Sequence, residues 1–186
     1  MAHTHLTSPP SLTRLPALTY VAALVDVTMD SIGERVVEAL DELERYMASR
    51  GIDPAGPSLI RYRALSEHTP FMIEVGWITA EGLWIDAPYV ADVLPEGHYA
   101  TATHVGPYGA LGDSTDELLR WADAEGVTFA VANAPGVPAH GGDLVIGTES
   151  APGGEWGCWY ELYVTDPVES PAGPWGTVEI RMLTAP

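Results

Sequence analysis

The chain has 186 residues, with 26 Asp and Glu against 8 Lys and Arg and a formal net charge of −18. Hydrophobic residues make up 46% of it, enough for one sizeable core, so the acidity does not mark a disordered tail. The charge excludes nucleic acid, whose phosphates need clustered Lys and Arg, and an anionic membrane surface; it favours neutral or cationic partners.

Residues 1–15, with Pro9 and Pro10, read as a flexible N-terminal arm, and 16–186 as one domain. Ala17 to Val27 is apolar and β-branched and predicts a strand. Ser31-x-x-Glu34 is a capping box at the start of a helix. Ile32, Val36, Leu40, Leu43 and Met47 fall on one helical face, and Gly51 and Pro54 end it. Extended segments follow at Ser58–Ala64 and Phe71–Thr79. The second half runs the same way. His98–Val105 predicts a strand, and Gly106-Pro107-Tyr108-Gly109 leads into a helix with Leu111, Thr115, Leu118 and Ala122 on one face, closed by Gly126. Trp156–Thr165 and Trp175–Leu183 are again extended. The expected fold is therefore α+β: two pseudo-symmetric βαββ repeats (16–79 and 97–184), antiparallel strands, both helices on one side, and a groove where the repeats meet. Segment 80–96, containing Trp84, links them, and 127–155 is a long irregular loop of the kind that serves function or moves.

Trp156–Thr165 carries the most chemistry. Strand alternation puts Trp159, Glu161 and Tyr163 on one face and Cys158, Tyr160, Leu162 and Val164 on the other, which is expected to pack on a helix. A carboxylate between two large aromatics is costly to desolvate unless paired, protonated or exposed. Two readings stand: a salt bridge to Arg61, Arg63 or Arg181 within the fold, or a cage for an apolar cation, held by ring faces and one negative charge. Tyr62 matches Tyr163 in the repeat and is a candidate for the same cleft. Trp77, Tyr108 at the helix entrance and Trp175 at a strand start are further candidates, each with core or edge packing as the alternative. Glu74 and Glu179 are expected on solvated faces.

Several chemistries are missing. Every basic residue is Arg, which removes P-loop and Schiff-base lysines. Cys158 is the only cysteine, so neither a disulfide within the chain nor a thiolate zinc site is expected. No G-x-S-x-G elbow occurs, and Gly141-Gly142 and Gly153-Gly154 lack the helix signal of a phosphate loop. His98 and His104 would stand about 20 Å apart along a strand, too far for one metal. His3 and His5 in the arm offer adventitious metal binding at most. No cofactor or metal is expected. No apolar run reaches the roughly 18 residues of a membrane span, and the start lacks a secretory signal, so the expected location is cytoplasmic.

Beyond these readings, the sequence resembles the GyrI-like small-molecule-binding domains, related to the effector-binding domains of multidrug-responsive transcription activators. Leu94-Pro95-x-Gly97-x-Tyr99 and His104-x-Gly106-Pro107-Tyr108 carry the resemblance. So do Trp156-Gly157-x-x-Tyr160-Glu161-Leu162-Tyr163-x-Thr165-Asp166-Pro167 and Trp175. The resemblance implies a stand-alone domain that binds lipophilic, often cationic, aromatic molecules among Trp159, Tyr163, Tyr62, Trp77, Tyr108 and Trp175, with Glu161 as the central glutamate. It also implies an alternative, hydrolysis of strained cyclopropane-containing alkylators with Glu161 and Tyr163 as the catalytic pair. A further alternative is a protein-interaction module acting on a topoisomerase. The expected assembly is a monomer or weak homodimer.

Overall fold

The computed structural model describes residues 5–65, 69–132 and 155–186. The expected loop 127–155 is described only at its two ends; 133–154 lie outside the described residues.

In chain order the elements are β1 (Ser11–Leu15), β2 (Leu18–Val27), α1 (Ile32–Ser49), β3 (Ser58–Tyr62), β4 (Phe71–Thr79), β5 (Tyr89–Leu94) and β6 (Gly97–Pro107). A 3-10 turn (Tyr108–Ala110), α2 (Leu111–Ala124), β7 (Val131–Ala132), β8 (Glu155–Trp156), β9 (Trp159–Tyr163), β10 (Val168–Ser170) and β11 (Gly173–Leu183) follow. The main sheet is antiparallel, in the order β1-β6-β11-β9-β3-β4-β2-β5, with β10 added to β11. The α+β architecture is as expected. Each half has the same strand order, β3-β4-β2 and β9-β11-β6, and the halves meet where β3 pairs with β9. Ile60 and Glu161 are matched positions of the two halves and direct partners across that seam.

Both helices end in a Schellman arrangement on a glycine with positive φ. At Gly51 (φ 67°), Ile52 N–H donates to the Met47 carbonyl at 2.9 Å. At Gly126 (φ 69°), Val127 N–H donates to the Ala122 carbonyl at 2.8 Å. The start of α1 differs from expectation. Ser31 is the N-cap but makes no side-chain cap bond; its hydroxyl instead accepts from the Thr28 N–H at 2.9 Å, a local turn that competes with the capping box.

Two expectations about the ends of the domain are corrected. The supposed flexible arm contains β1, which pairs with β6 from Ser11↔Thr101 to Leu15↔Gly97. Its side chains are largely exposed, so it carries no hydrophobic alternation to read. The linker 80–96 contains β5, which pairs with β2.

These edge strands also reveal a curvature that the pattern did not show. β5 and β6 lie six strand steps apart across the sheet, roughly 29 Å if flat at about 4.8 Å per step. Yet only Pro95 and Glu96 connect them, a reach of roughly 11 Å over three Cα steps of about 3.8 Å. The sheet must therefore curl toward closure. The concave side encloses a core of its own: Tyr20, Ala22, Leu59, Ile78, Leu94, Tyr99, Cys158, Tyr160 and Leu162. Both helices pack on the other face, where Ala39, Leu118 and Ala122 meet Ile60, Tyr62, Ile73, Trp159, Ile180 and Met182.

Candidate functional site

The face assignment of β9 is corrected by that curvature. Trp159 belongs to the helix-side core, together with Tyr62, and Tyr163 packs against it, whereas Cys158, Tyr160 and Leu162 fill the concave side. Alternation along the strand holds; the curled sheet, not a helix, buries the second set. Glu161 thus lies under the helix layer, on the seam between the halves, and is 4% exposed.

Two tyrosines in matched positions close on it. Tyr62 Oη donates to Glu161 Oε2 at 3.2 Å and Tyr163 Oη to the same oxygen at 2.9 Å. Burial pushes the Glu161 carboxyl up to about 7, against the opposing pull of the Tyr163 and Tyr62 hydroxyls. Burial first, and then the Glu161 charge, raise both tyrosines well above their ordinary range. At neutral pH the site therefore holds two phenols and a carboxyl near half-ionisation.

None of the three arginines offered by the salt-bridge reading reaches Glu161. Arg61 and Arg63 lie on the concave side, where they meet Asp92 at 3.2 and 2.9 Å. Arg63 also holds Glu74 at 3.0 Å, and Tyr20 donates to Glu74 while accepting from Arg61 at 2.8 Å. Glu74, expected on a solvated face, is buried within this network. Arg181 pairs with Glu179 and donates to Tyr160 at 3.2 Å, again on the concave side. Glu179 is half-buried there rather than fully solvated.

The aromatic surroundings are lopsided. Trp159 stacks on Tyr62 at 4.3 Å between centroids, and Trp156 and Phe129 extend the cluster edge-to-face. On the other side of the seam the position matching Trp159 is Ser58, which pairs with Tyr163 on one flank and Trp77 on the other. Ser58, Tyr163 and Trp77 are all half-buried, so the site is thinnest there. Tyr108 meets the Tyr163 ring edge-on at 5.3 Å. Its hydroxyl is buried without a hydrogen-bond partner, as are the indole N–H groups of Trp77 and Trp159. Buried donors left unpaired cost about 1–3 kcal/mol each, and those of Tyr108 and Trp159 belong to rings that contact Tyr163 and Tyr62.

The structure thus gathers Trp159, Tyr62, Tyr163 and Tyr108 around Glu161. Trp77 lies two strands from Tyr163 and packs with Val21, Leu43 and Met47 against α1. Trp175 is not brought in: its register on β11 puts it on the face of Thr177 and Glu179, opposite to Glu161, and it is 40% exposed. Ser58 was missed by the sequence reading. Its only signal was the repeat alignment, which sets a serine opposite Trp159. Among the described residues no three His, Cys, Asp or Glu side chains form a metal cluster.

No family model and no curated protein matches the sequence. Solved structures do. The C-terminal domain of EcmrR superposes with a TM-score of 0.64 at 13% identity, over 95% of this chain and 96% of that one. The chain has the GyrI-like fold. In the EcmrR–DNA complex the same likeness spans 56% of the EcmrR chain, so this chain matches only about half of that protein. SAV2435 bound to tetraphenylphosphonium matches with a TM-score of 0.54 at 11% identity, over 95% of this chain and 93% of that one. A hydrolase from Listeria innocua matches with 0.58 at 12% identity, over 97% and 93%. At these identities the likeness establishes the GyrI-like fold alone.

Proposed function

We propose that this chain binds lipophilic aromatic cations at Glu161, polyspecifically, as a sensor or sequestering protein. The carrying observation is a buried carboxylate between Tyr62 and Tyr163 with no arginine beside it. A cationic guest would supply the missing counter-charge, and the ring faces of Tyr163, Tyr62 and Trp159 would add cation–π attraction. Ser58, small and half-buried beside Tyr163, is the side on which the packing would part to admit a guest. The excess of acidic residues over the whole surface would concentrate cations nearby. The tetraphenylphosphonium complex of SAV2435 supports the reading by analogy of fold.

The test compares rhodamine 6G with its neutral, ring-closed spirolactam by isothermal titration calorimetry. The cation should bind about 10-fold more tightly, the scale of 1–2 kcal/mol for a partly desolvated cation–π and ion contact. Equal affinities would refute the charge anchor.

One observation favours a second reading. A carboxyl near 7, hydrogen-bonded to a phenol at 2.9 Å, is poised for acid–base work at neutral pH. In that reading Glu161 takes a proton from water as its oxygen bonds to a strained cyclopropane carbon; the ring C–C bond breaks, its electron pair passes to a conjugated carbonyl oxygen of the substrate, and Tyr163 protonates that oxygen. Mass spectrometry of a cyclopropane-bearing alkylator incubated with the protein decides it. Multiple turnovers lost in Glu161→Gln would favour hydrolysis, and stoichiometric retention of intact compound would favour binding.

A further inference from the structure

A second set of groups lies away from Glu161, where the N-terminal segment runs along β6. The segment is pinned there by its backbone: Val105 N–H donates to the His5 carbonyl at 2.8 Å, and Thr7 N–H to the Thr103 carbonyl at 3.1 Å. His5, expected in a free arm, is thereby fixed beside His104, with ring centroids 5.4 Å apart and planes at 44°. His104 is fully buried. Its Nδ1 lies 2.8 Å from the Ser114 hydroxyl of α2, while its Nε2 has no hydrogen-bond partner. With Nδ1 donating to Ser114, Nε2 carries a free lone pair.

Gly106 supplies the floor of this junction. A Cβ there would stand 2.6 Å from His5 Nδ1 and 3.3 Å from His104 Nε2. Both ring nitrogens thus border the space above Gly106, which a side chain there would fill. Two imidazoles on one tetrahedral metal, at about 2.0–2.1 Å each, hold their nitrogens roughly 3.4 Å apart, which facing rings at this spacing allow. A ligating ring is fixed in its tautomer by an acceptor for its other N–H, and here the Ser114 oxygen can take that place.

We propose that His5 Nδ1 and His104 Nε2 form a site for an imidazole-preferring divalent metal such as Zn²⁺ or Ni²⁺, with water completing the coordination, which staples the N-terminal segment to β6. Hard, oxygen-preferring Mg²⁺ does not fit such a pair.

The experiment titrates metal-free full chain with ZnCl₂, NiCl₂ and MgCl₂, by calorimetry and by thermal unfolding. One equivalent of Zn²⁺ or Ni²⁺ should bind and raise the melting temperature by several degrees, with no effect of Mg²⁺, and should shift the imidazole resonances of both His5 and His104. His5→Ala should weaken binding at least 10-fold. Gly106→Ala should do the same with both histidines still present, because its new Cβ fills the space. His104→Gln should match them, and circular dichroism verifies that each variant is folded. If His104→Gln does not fold, His5→Ala and Gly106→Ala decide the matter. No binding at 100 μM metal, on the order of the weakest useful site, overturns the proposal. So does binding that survives His5→Ala or Gly106→Ala, which would place the metal elsewhere.

Discussion

Glu161→Gln is the most informative single change, because its effect must depend on pH. Folding takes the carboxyl from about 4.5 to about 7, since burial disfavours its charge. Between those values the native state holds more proton than the unfolded state, so stability falls as pH rises from about 4.5 and levels off above about 7. The difference corresponds to a cost on the order of 3 kcal/mol at pH 8, at about 1.4 kcal/mol per unit. Glutamine keeps an oxygen for the Tyr62 and Tyr163 hydroxyls and carries no charge. The variant should therefore match wild type near pH 4.5 and exceed it at pH 8. At about 2–4 °C per kcal/mol for a chain of this size, the gain is several degrees in Tm. Differential scanning calorimetry of both proteins from pH 4.5 to 8 measures it, and subtracting one from the other removes the general self-repulsion of so acidic a chain. A variant destabilised by about 3–5 kcal/mol at every pH would show instead that Glu161 is half of a buried ion pair. That result would refute both the unpaired carboxylate and the function built on it.

Tyr163→Phe removes a hydroxyl that favours the charged carboxylate, so the Glu161 midpoint should rise above about 7, followed by its carbonyl stretch in infrared titration; an unchanged or lower midpoint would refute the hydrogen-bond account. On the concave side, Arg61→Met would remove a buried guanidinium from Tyr20 and Asp92 and should cost about 1–3 kcal/mol in urea unfolding, without changing the affinity for rhodamine 6G. A loss of ligand affinity in a folded Arg61→Met protein would mean that the two faces are coupled.

The apolar spacing of Ile32, Val36, Leu40, Leu43 and Met47 determined α1 by itself, because helix periodicity is a local property. The glycines that end both helices were equally legible. The sequence also put Trp159, Glu161 and Tyr163 on one face, since alternation needs nothing beyond the strand. Which face that was could not be read. Both faces of β9 are apolar, and the burial of Cys158, Tyr160 and Leu162 without a helix depends on the short link Pro95-Glu96 that forces the sheet to curl. Tertiary structure alone decided which residues met Glu161. The β3–β9 register brings Tyr62 to its carboxylate from 99 residues away, while the concave face takes Arg61, Arg63 and Arg181 for other acids. It also decided the fates of Ser58 and His5, one thinning the wall beside Tyr163 and the other fixed against His104. Those outcomes rest on strand pairing between distant segments, which no local pattern encodes.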